Sequence, residues 1–293
     1  MADKCYALVV NPIAGGGFPL RFLPELLSRL DENHAEYEVL NTTHSGHAEE
    51  LARQHAQAGT IVVAIGGDGT VNEVLRGVLG SPSFLGICPC GSGNDIAQSL
   101  GISRKNAIQT LLDGTPEHVS VGMVNDHPFL GVASCGLDTE VNCKANQIPR
   151  IIKGPLLYTV ALLWALITFK AVKIEVSLPD SSFSEEIMLL AVGQGDRYGG
   201  GMKITPKALR EDGLLDLCLV QKISKWQLLT IFPKVFSGNH IYHPKVRYYQ
   251  TPELLIQGTG DVYADGDRKT QLPARYEIRS DLLSVILPST HPN

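Results

Sequence analysis

Apolar runs of strand length alternate with the apolar spacing of helices through the first 115 residues. The predicted strands are 6–11, 37–40, 61–65 and 84–87, and the predicted helices are about 20–30, 46–57, 71–79, 95–100 and 107–112. This alternation predicts a doubly wound α/β domain with a mostly parallel sheet. Ligands bind such sheets at the carboxyl ends of the strands. Three glycine-rich turns each follow a strand, so we expect all three at one edge of the sheet.

After about residue 119 the pattern changes to short strands separated by turn residues. The predicted strands are 119–124, 128–134, 173–178, 186–192, 215–220, 254–258 and 262–264. We infer a second, mainly-β domain. A further strand at 284–287 is expected to return to the first domain, because chain termini often lie close together. The predicted division is therefore 1–122 with about 282–293, and 123–281.

Composition narrows the class of protein. The chain has 293 residues, 44% of them apolar, and a net charge of −5, which argues against a general nucleic-acid binder. Six cysteines are scattered without a CxxC pair, which favours reduced core thiols and a cytoplasmic protein. No basic segment followed by an apolar stretch opens the sequence, so no secretory signal is expected.

Two apolar segments raise the question of lipid contact. Residues 156–169 (LLYTVALLWALITF) are almost wholly apolar, but 14 residues are too few to cross a bilayer, so no transmembrane span is expected. A buried helix is the favoured interpretation, and a helix that lines a lipid-accessible cleft or rests on a membrane surface is the alternative. The stretch 226–236 (WQLLTIFPKVF) presents the same choice between core and acyl-chain contact.

The turn at residues 66–70 reads GGDGT and lies between a buried apolar run and a helix. Glycines let backbone N–H groups approach phosphate oxygens, and a helix N-terminus adds partial positive charge. Asp68 would be repelled by bound phosphate unless Mg²⁺ lies between them or the carboxylate accepts a proton from a nucleophile. A tight turn with an N-capping aspartate is the simpler alternative.

Three other segments carry similar chemistry. Residues 11–17 (NPIAGGG) end the first strand in a glycine run, and 91–97 (GSGNDIA) open a helix. Both segments suit phosphate binding. The first is equally typical of a plain loop, and in the second Asn94 or Asp95 could equally be a simple N-cap. Residues 262–267 (VYADGD) run from a strand into an acidic turn, for which a surface hairpin is slightly favoured on local grounds.

The order of these motifs resembles the diacylglycerol-kinase catalytic family, including the bacterial YegS/DgkB-type lipid kinases. NPxAGGG, a threonine ahead of GHA, GGDGTVNE, GSGNDIA, GGGMKITPxAxxxDGLLD and YADGD follow one another across about residues 5–288. The resemblance implies an α/β nucleotide domain, a C-terminal β-sandwich domain and an active site in the cleft between them. It also implies ATP and Mg²⁺ as cofactors.

The resemblance assigns site residues by position. The implied ATP-binding residues are Asn11, Gly15, Gly16, Thr42, Gly66, Gly67, Asp68, Gly69, Thr70, Val71, Asn72, Glu73, Gly91, Ser92 and Asn94. Ser92 replaces the family's threonine. The implied catalytic residues are Asp68 on the metal or phosphate side, Asp95 at Mg²⁺ or the acceptor head, and Asp267 as the general base.

Asp267 departs from the family, which usually has glutamate there. Aspartate is one methylene shorter, and a general base needs hydrogen-bond reach to the hydroxyl. Domain closure, a role shared with Asp265, or reduced activity would each account for the change. The resemblance also implies a structural Mg²⁺ site at Leu209, Asp212 and Leu214, for which a hairpin turn is an equal alternative.

These assignments predict an ATP- and Mg²⁺-dependent kinase of a lipid hydroxyl. The acceptor is diacylglycerol-like, or resembles phosphatidylglycerol or a sphingoid base, and is met at a membrane surface. The protein is then cytoplasmic or peripheral at the inner membrane face, and a homodimer is left open. The alternatives are a kinase of a soluble acceptor, similar to NAD kinase, and a nucleotide-binding regulator without turnover.

Overall fold

A computed structural model of the chain describes residues 5–137, 140–141, 144, 164–165, 168–209 and 212–289. Within these, residues up to 121, 198–201 and the stretch from 279 onward form one compact unit. Residues from 122 to 197 and from 202 to 278 form the second. The sequence did not predict that 198–201 belongs with the first unit.

The first unit is built on a six-stranded sheet in the order β2-β1-β3-β4-β17-β5. Its strands, numbered along the whole chain, are β1 Cys5–Val10, β2 Glu36–Asn41, β3 Thr60–Gly66, β4 Phe84–Pro89, β5 Thr115–His118 and β17 Ser284–Leu287. Strands β1 to β4 are parallel. β17 pairs parallel with β4 and antiparallel with β5, which confirms that the tail returns to this sheet. β5 was not predicted, because its Thr-Pro-Glu-His sequence is polar, as suits an edge strand.

Five helices accompany this sheet in the described residues: α1 Phe18–Glu32, α2 His47–His55, α3 Asp68–Val78, α4 Asp95–Ser99 and α5 Ala107–Asp113. Each of the longer ones buries one apolar stripe; in α1 this is Phe22, Leu26 and Leu30. The sequence placed the start of α3 too late. The Val71 N–H already donates to the Gly67 carbonyl at 3.0 Å, so the GGDGT segment supplies the first helical turn.

The second unit contains antiparallel strands joined in one eleven-stranded sheet. They are β6 Val121–Val124, β7 His127–Phe129, β8 Val132–Gly136, β9 Val172–Leu178, β10 Ser181–Gly193, β11 Leu215–Gln221, β12 Val246–Thr251, β13 Glu253–Gly258, β14 Asp261–Ala264, β15 Asp267–Gln271 and β16 Ala274–Arg279. Phe129, Leu217 and Tyr276 are among the fully buried side chains of its core. The two sheets together confirm the predicted fold class, with a sandwich-like second domain.

One predicted strand of this unit was wrong. Residues 128–134 form two strands, β7 and β8, rather than one. The break has a physical cause, because the Asp265 carboxylate accepts the N–H groups of Leu130, Gly131 and Val132 at 2.9–3.1 Å. Those donors are therefore not available for a continuous ladder.

Helix α6, Lys225–Val235, begins with a capping box. The Ser224 hydroxyl accepts the Gln227 N–H, and the Gln227 side chain accepts the Ser224 N–H in return. The helix buries Leu228, Ile231 and Val235, and a short 3₁₀ helix, Asn239–Tyr242, packs against it. The segment is thus part of the core on one face.

The other apolar segment, 156–169, lies mostly outside the described residues. Of the described positions, Ala165 is buried and Trp164 is 38% exposed. Among the helices that the structure describes, none combines the length and apolar character needed to cross a membrane. The described cysteines are free thiols, and four of the five are buried. Cys5, the first residue of β1, is exposed, contrary to expectation.

Candidate active site

Three glycine loops of the first unit meet at the carboxyl ends of β1, β3 and β4. A Cβ on Gly15 would overlap the carbonyl oxygen of Cys90, and a Cβ on Gly91 would lie 2.5 Å from the Cα of Gly67. Only glycine permits backbones to approach this closely. The prediction that the three turns lie at one edge of the sheet is confirmed.

The loops enclose a pocket of about 310 Å³. It is lined by Asn11, Ala14, Gly15, Gly67, Asp68, Gly69, Thr70, Gly91, Ser92 and Gly93. Eight of these are residues that the resemblance assigned to ATP, and Ala14 and Gly93 are additional. Half of the lining residues are therefore glycines and most of the others have polar side chains, as expected for an anion site.

The N-terminus of α3 opens into this pocket. The N–H groups of Asp68, Gly69 and Thr70 belong to the first helical turn, where no carbonyl lies one turn earlier to accept them. A Cβ on Gly69 would meet no atom within 4 Å. A ligand can therefore approach the helix terminus closely, and an anion there would also be stabilised by the helix dipole.

Asn11 and Thr70 connect the first loop to the second. The Asn11 amide Nδ2 donates to the Thr70 hydroxyl at 3.1 Å, and the Asn11 Oδ1 accepts the Ile13 N–H at 3.3 Å. Thr70 is buried, with 5% of its surface exposed. Both side chains thus hold loop geometry while they line the pocket.

Two carboxylates flank the third loop. A Cβ on Gly93 would lie 3.2 Å from Asp68 Oδ2 and 3.5 Å from Asp95 Oδ2, so both oxygens face the same point. Asp68 Oδ1 accepts the Ile96 N–H at 3.0 Å, and Asp95 Oδ2 accepts the Gly200 N–H at 2.6 Å. Neighbouring carboxylates repel unless a cation or a proton lies near them. The pair fits a divalent cation with oxygen ligands.

Gly200 is a site residue that sequence reasoning missed. It lies in the segment 198–201, which the structure groups with the first unit. Gly199, Gly200 and Gly201 all have positive φ, at 60°, 84° and 103°. This conformation presents the Gly200 N–H to buried Asp95. The run of three glycines was the available signal.

Asn94 and Arg104 shape the third loop. Asn94 has a φ of 60°, and its amide both accepts from the Gly91 N–H and donates to the Gly91 carbonyl. Arg104 donates to the carbonyls of Pro89 and Gly91. The amide of Asn94 therefore organises the loop from within. No local motif marked Arg104.

Cys90, between β4 and this loop, is a buried free thiol. Burial raises the pKa of its thiol to about 12, although the Arg104 charge opposes the shift. The thiol therefore stays protonated at neutral pH.

The remaining residues of the predicted ATP set lie outside the pocket lining. They are Gly16, Thr42, Gly66, Val71, Asn72, Glu73 and Asn94. Val71 and Asn72 are buried in α3. The Glu73 carboxylate accepts the Gly46 and Ala48 N–H groups at 2.9 and 3.1 Å. It thereby attaches the N-terminus of α2 to α3, a role that the sequence did not indicate.

The acidic turn of the second unit is a two-residue hairpin between β14 and β15. Asp265 and Gly266 have φ of 49° and 88°, as in a type I′ turn. Because Asp265 binds three backbone N–H groups, the structure gives it a structural role and weakens the idea that it shares the work of a base. The Asp267 side chain is 58% exposed and lies 3.1 Å from Lys269 Nζ.

At the predicted second metal site the structure describes Leu209, Asp212 and Leu214. Asp212 Oδ1 accepts the Leu214 N–H at 3.0 Å, and Gly213 has a φ of 69°. These contacts form an ordinary Asp-Gly turn before β11. The next aspartate, Asp216, is fully buried, and burial raises its pKa to about 6 despite the opposing effect of Tyr248.

His44, His47 and Glu50 place possible metal ligands within 4.8 Å of one another. The Nδ1 atom of His47, however, accepts the Thr43 N–H at 3.1 Å. In the neutral ring the proton is then on Nε2, which leaves no free lone pair for an ion. We therefore assign this cluster a structural role at the N-terminus of α2.

Comparison with known proteins decides the family. Residues 6–124 match the model of the diacylglycerol kinase catalytic domain, and residues 131–287 match that of the YegS C-terminal NAD kinase beta sandwich-like domain. A protein of Mycobacterium tuberculosis named diacylglycerol kinase is 31% identical, over 96% of this chain and 94% of its own. The chain belongs to the diacylglycerol kinase family.

Other members of the diacylglycerol kinase family agree. A Staphylococcus saprophyticus protein of the same name is 29% identical over 98% of this chain and 96% of its own. A crystal structure of a diacylglycerol kinase from Bacillus anthracis has a TM-score of 0.76 at 21% identity, covering 98% of both chains. That structure shows the shared fold. The resemblance read from the motifs is confirmed.

Proposed function

We propose that this chain transfers a phosphoryl group from ATP to the hydroxyl of a diacylglycerol-like lipid, with Mg²⁺ as cofactor. Phosphatidylglycerol-like and sphingoid lipids present a similar hydroxyl and remain within the proposal. The observation that carries it is the meeting of three glycine loops at the N-terminus of α3, beside Asp68 and Asp95.

The glycine loops would hold the nucleotide phosphates. Backbone N–H groups of the loops and of the first turn of α3 point partial positive charge into a pocket of about 310 Å³. At Gly15, Gly67 and Gly91 the three loops pack closely against one another. Positioning of this kind is most of what phosphoryl transfer asks of a protein.

Asp68 and Asp95 would hold the cation. Their backbone hydrogen bonds from Ile96 and Gly200 orient the two carboxylates toward a common point. A bound Mg²⁺ would offset phosphate charge that these carboxylates otherwise repel.

Asp267 is the proposed general base, and its support is the family resemblance. Its exposed carboxylate beside Lys269 is free of the backbone bonds that occupy Asp265. In this role it would accept the proton of the lipid hydroxyl. The proposed location is cytoplasmic, with peripheral contact at the inner face of the membrane.

The test is transfer of labelled phosphate from ATP by the purified chain. The acceptors are diacylglycerol, phosphatidylglycerol and sphingosine in mixed micelles, and NAD in solution, each with and without Mg²⁺. Product with one of the lipids, and only with the metal, is expected. Product with NAD alone would establish a kinase of a soluble acceptor. ATP binding without any product would indicate a regulator.

A further inference from the structure

Helix α6 carries two apolar stripes instead of one. The buried stripe is Leu228, Ile231 and Val235. A second set repeats at positions i, i+3, i+7 and i+10, and all of it is exposed: Trp226, Leu229 and Pro233 in the helix and Phe236 at its C-cap. We call this second set the α6 apolar face. Helical geometry places it roughly opposite the buried stripe.

The side chains of this face are unusually exposed for apolar residues. Trp226 is 81% exposed, Phe236 is 50% exposed and Leu229 is 38% exposed. Tyr242, on the neighbouring 3₁₀ helix, is 76% exposed. Single exposed apolar residues need no explanation, but a row of them along one helix face marks an interaction surface.

The two charged residues of α6, Lys225 and Lys234, are both basic. Residues 217–252 contain Lys222, Lys225, Lys234, Lys245 and Arg247, and no aspartate or glutamate, in a chain whose net charge is −5. Lys222 pairs with Glu186 at 2.9 Å and Arg247 lies 3.5 Å from Glu185, while Lys225 and Lys234 lie on α6 itself and are exposed. A basic surface next to an apolar one is complementary to anionic lipid head groups and the acyl region below them.

We propose that the α6 apolar face binds the surface of a membrane that contains anionic lipid. Tryptophan and tyrosine favour the membrane interface, and lysines beside them meet the head groups. The capping box at Ser224 forms this helix without lipid, so binding needs little ordering. The inference rests on the proposed function, because a kinase of membrane lipids has to reach them at the bilayer.

A second copy of this chain fits the face less well. Two copies would bring the same basic segment against itself, and like charges close together oppose association. An anionic lipid surface does not repel these basic residues but attracts them. Self-association is therefore an outcome that the test must detect.

Trp226 supplies the first readout. The chain has two tryptophans, so Trp164→Phe leaves Trp226 as the only indole. Vesicles of phosphatidylcholine with 30 mole per cent phosphatidylglycerol, a composition on the order of natural anionic content, are added without nucleotide. We expect the emission of Trp226 to shift to shorter wavelength and brominated acyl chains to quench it.

Variants separate the apolar from the charged contribution. Trp226→Ser with Phe236→Ser should lower co-sedimentation with these vesicles by about tenfold or more, since two large apolar side chains are lost. Lys225→Glu with Lys234→Glu should lower binding to anionic vesicles and leave the weak binding to pure phosphatidylcholine unchanged. Leu20→Ser, which removes a side chain 54% exposed on α1, is the matched control and should bind as the parent does.

Two results would overturn the inference. One is an unshifted Trp226 emission with vesicles while the unaltered chain phosphorylates diacylglycerol in micelles; the proposed function then stands and the face is not a membrane site. The other is a concentration-dependent dimer in sedimentation that Trp226→Ser abolishes. Vesicle binding without any phosphate transfer would instead contradict the proposed function alone. Circular dichroism of each variant checks that it is folded.

Discussion

The dipeptide Asp-Gly occurs four times in the chain, and the copies at 68–69 and 265–266 do opposite things with their carboxylates. Asp68 begins helix α3, lines a pocket and accepts one N–H, from Ile96. Asp265 lies in a hairpin and accepts three N–H groups, which hold the break between β7 and β8. Asp68 Oδ2 faces the pocket region, whereas both oxygens of Asp265 bind the backbone.

The difference teaches that function follows from backbone context rather than from the motif. Both segments are acidic turns after a strand, and each had a structural and a functional interpretation. The first precedes a helix, so its backbone donors point outward toward a ligand. The second closes a hairpin, and its aspartate accepts backbone N–H groups of its own unit. Five predictions test how far this contrast extends.

The largest expected effect is on transfer in Asp68→Asn. The variant keeps an oxygen for the Ile96 N–H but loses the charge, so phosphate transfer should fall by about 10²–10³-fold. Urea unfolding of the same variant should stay close to that of the parent. Unchanged transfer would remove Asp68 from the site.

Asp267→Ala should also stop most of the transfer, by about 10²-fold if the carboxylate is the base. Its stability should change little, because an exposed ion pair with Lys269 contributes weakly. Asp267→Glu restores the family's usual residue and should keep or raise the rate. Nearly full activity of the alanine variant would refute the assignment of the base.

Asp265→Ala is the structural counterpart, and its effect should be seen first in unfolding. Three backbone donors lose a charged acceptor, so we expect a loss of about 3 kcal/mol in the free energy of unfolding. Asp180→Ala, an exposed turn aspartate of the same unit, is the control and should be nearly neutral. Equal stabilities of the two variants would mean that the Asp265 contacts carry no stability.

Gly77 and Gly69 both lie in α3, and we expect substitution of the first to affect stability and of the second to affect ATP binding. A Cβ on Gly77 would lie 2.5 Å from the Ala52 Cβ, so Gly77→Ala should cost about 1–3 kcal/mol of stability. A Cβ on Gly69 meets open space, so Gly69→Ala should fold normally but place a methyl group where the phosphates are proposed. We expect its ATP dissociation constant to rise about tenfold, or about 1.4 kcal/mol. Normal ATP affinity would argue against the helix terminus as the phosphate site.

The smallest expected effect is on the pH dependence of stability. It concerns Asp216, which lies in strand β11 rather than in a turn. Burial raises its pKa in the folded chain to about 6 from an ordinary value of 3.8, so the folded state binds the proton more tightly. This contribution to stability is present at low pH and is lost as pH rises through 6. Between pH 5 and pH 7.5 the loss should be about 1.4 kcal/mol. Asp216→Asn should flatten that slope in urea unfolding, and an unchanged slope would contradict the shift.

Much of the first unit could be predicted because its signals are local. Apolar runs gave β1, β3 and β4, and glycine after each strand located the pocket. The polar strand β5 carried no such signal. Gly200 and Glu73 act through contacts between segments far apart in the chain, at separations of 105 and 27 residues, which no local pattern encodes.

In the second unit the strands were predicted better than their boundaries. The split between β7 and β8 depends on an acceptor more than 130 residues away, so the apolar run 128–134 read as one strand. The strands β12, β15 and β16 mix charged, polar and apolar residues and were missed. The exposed apolar face of α6 could not be separated from its buried stripe without the fold, since both have helical spacing.

The position of β17 has a consequence for how the protein is made. It pairs with both β4 and β5, although Ser284 and His118 are 166 positions apart. While the chain is being synthesised, the sheet of the first unit therefore has an unpaired edge at β4 until residues 284–287 have left the ribosome. A nascent chain that has not yet added residues 284–287 would expose that edge to chaperones or to aggregation.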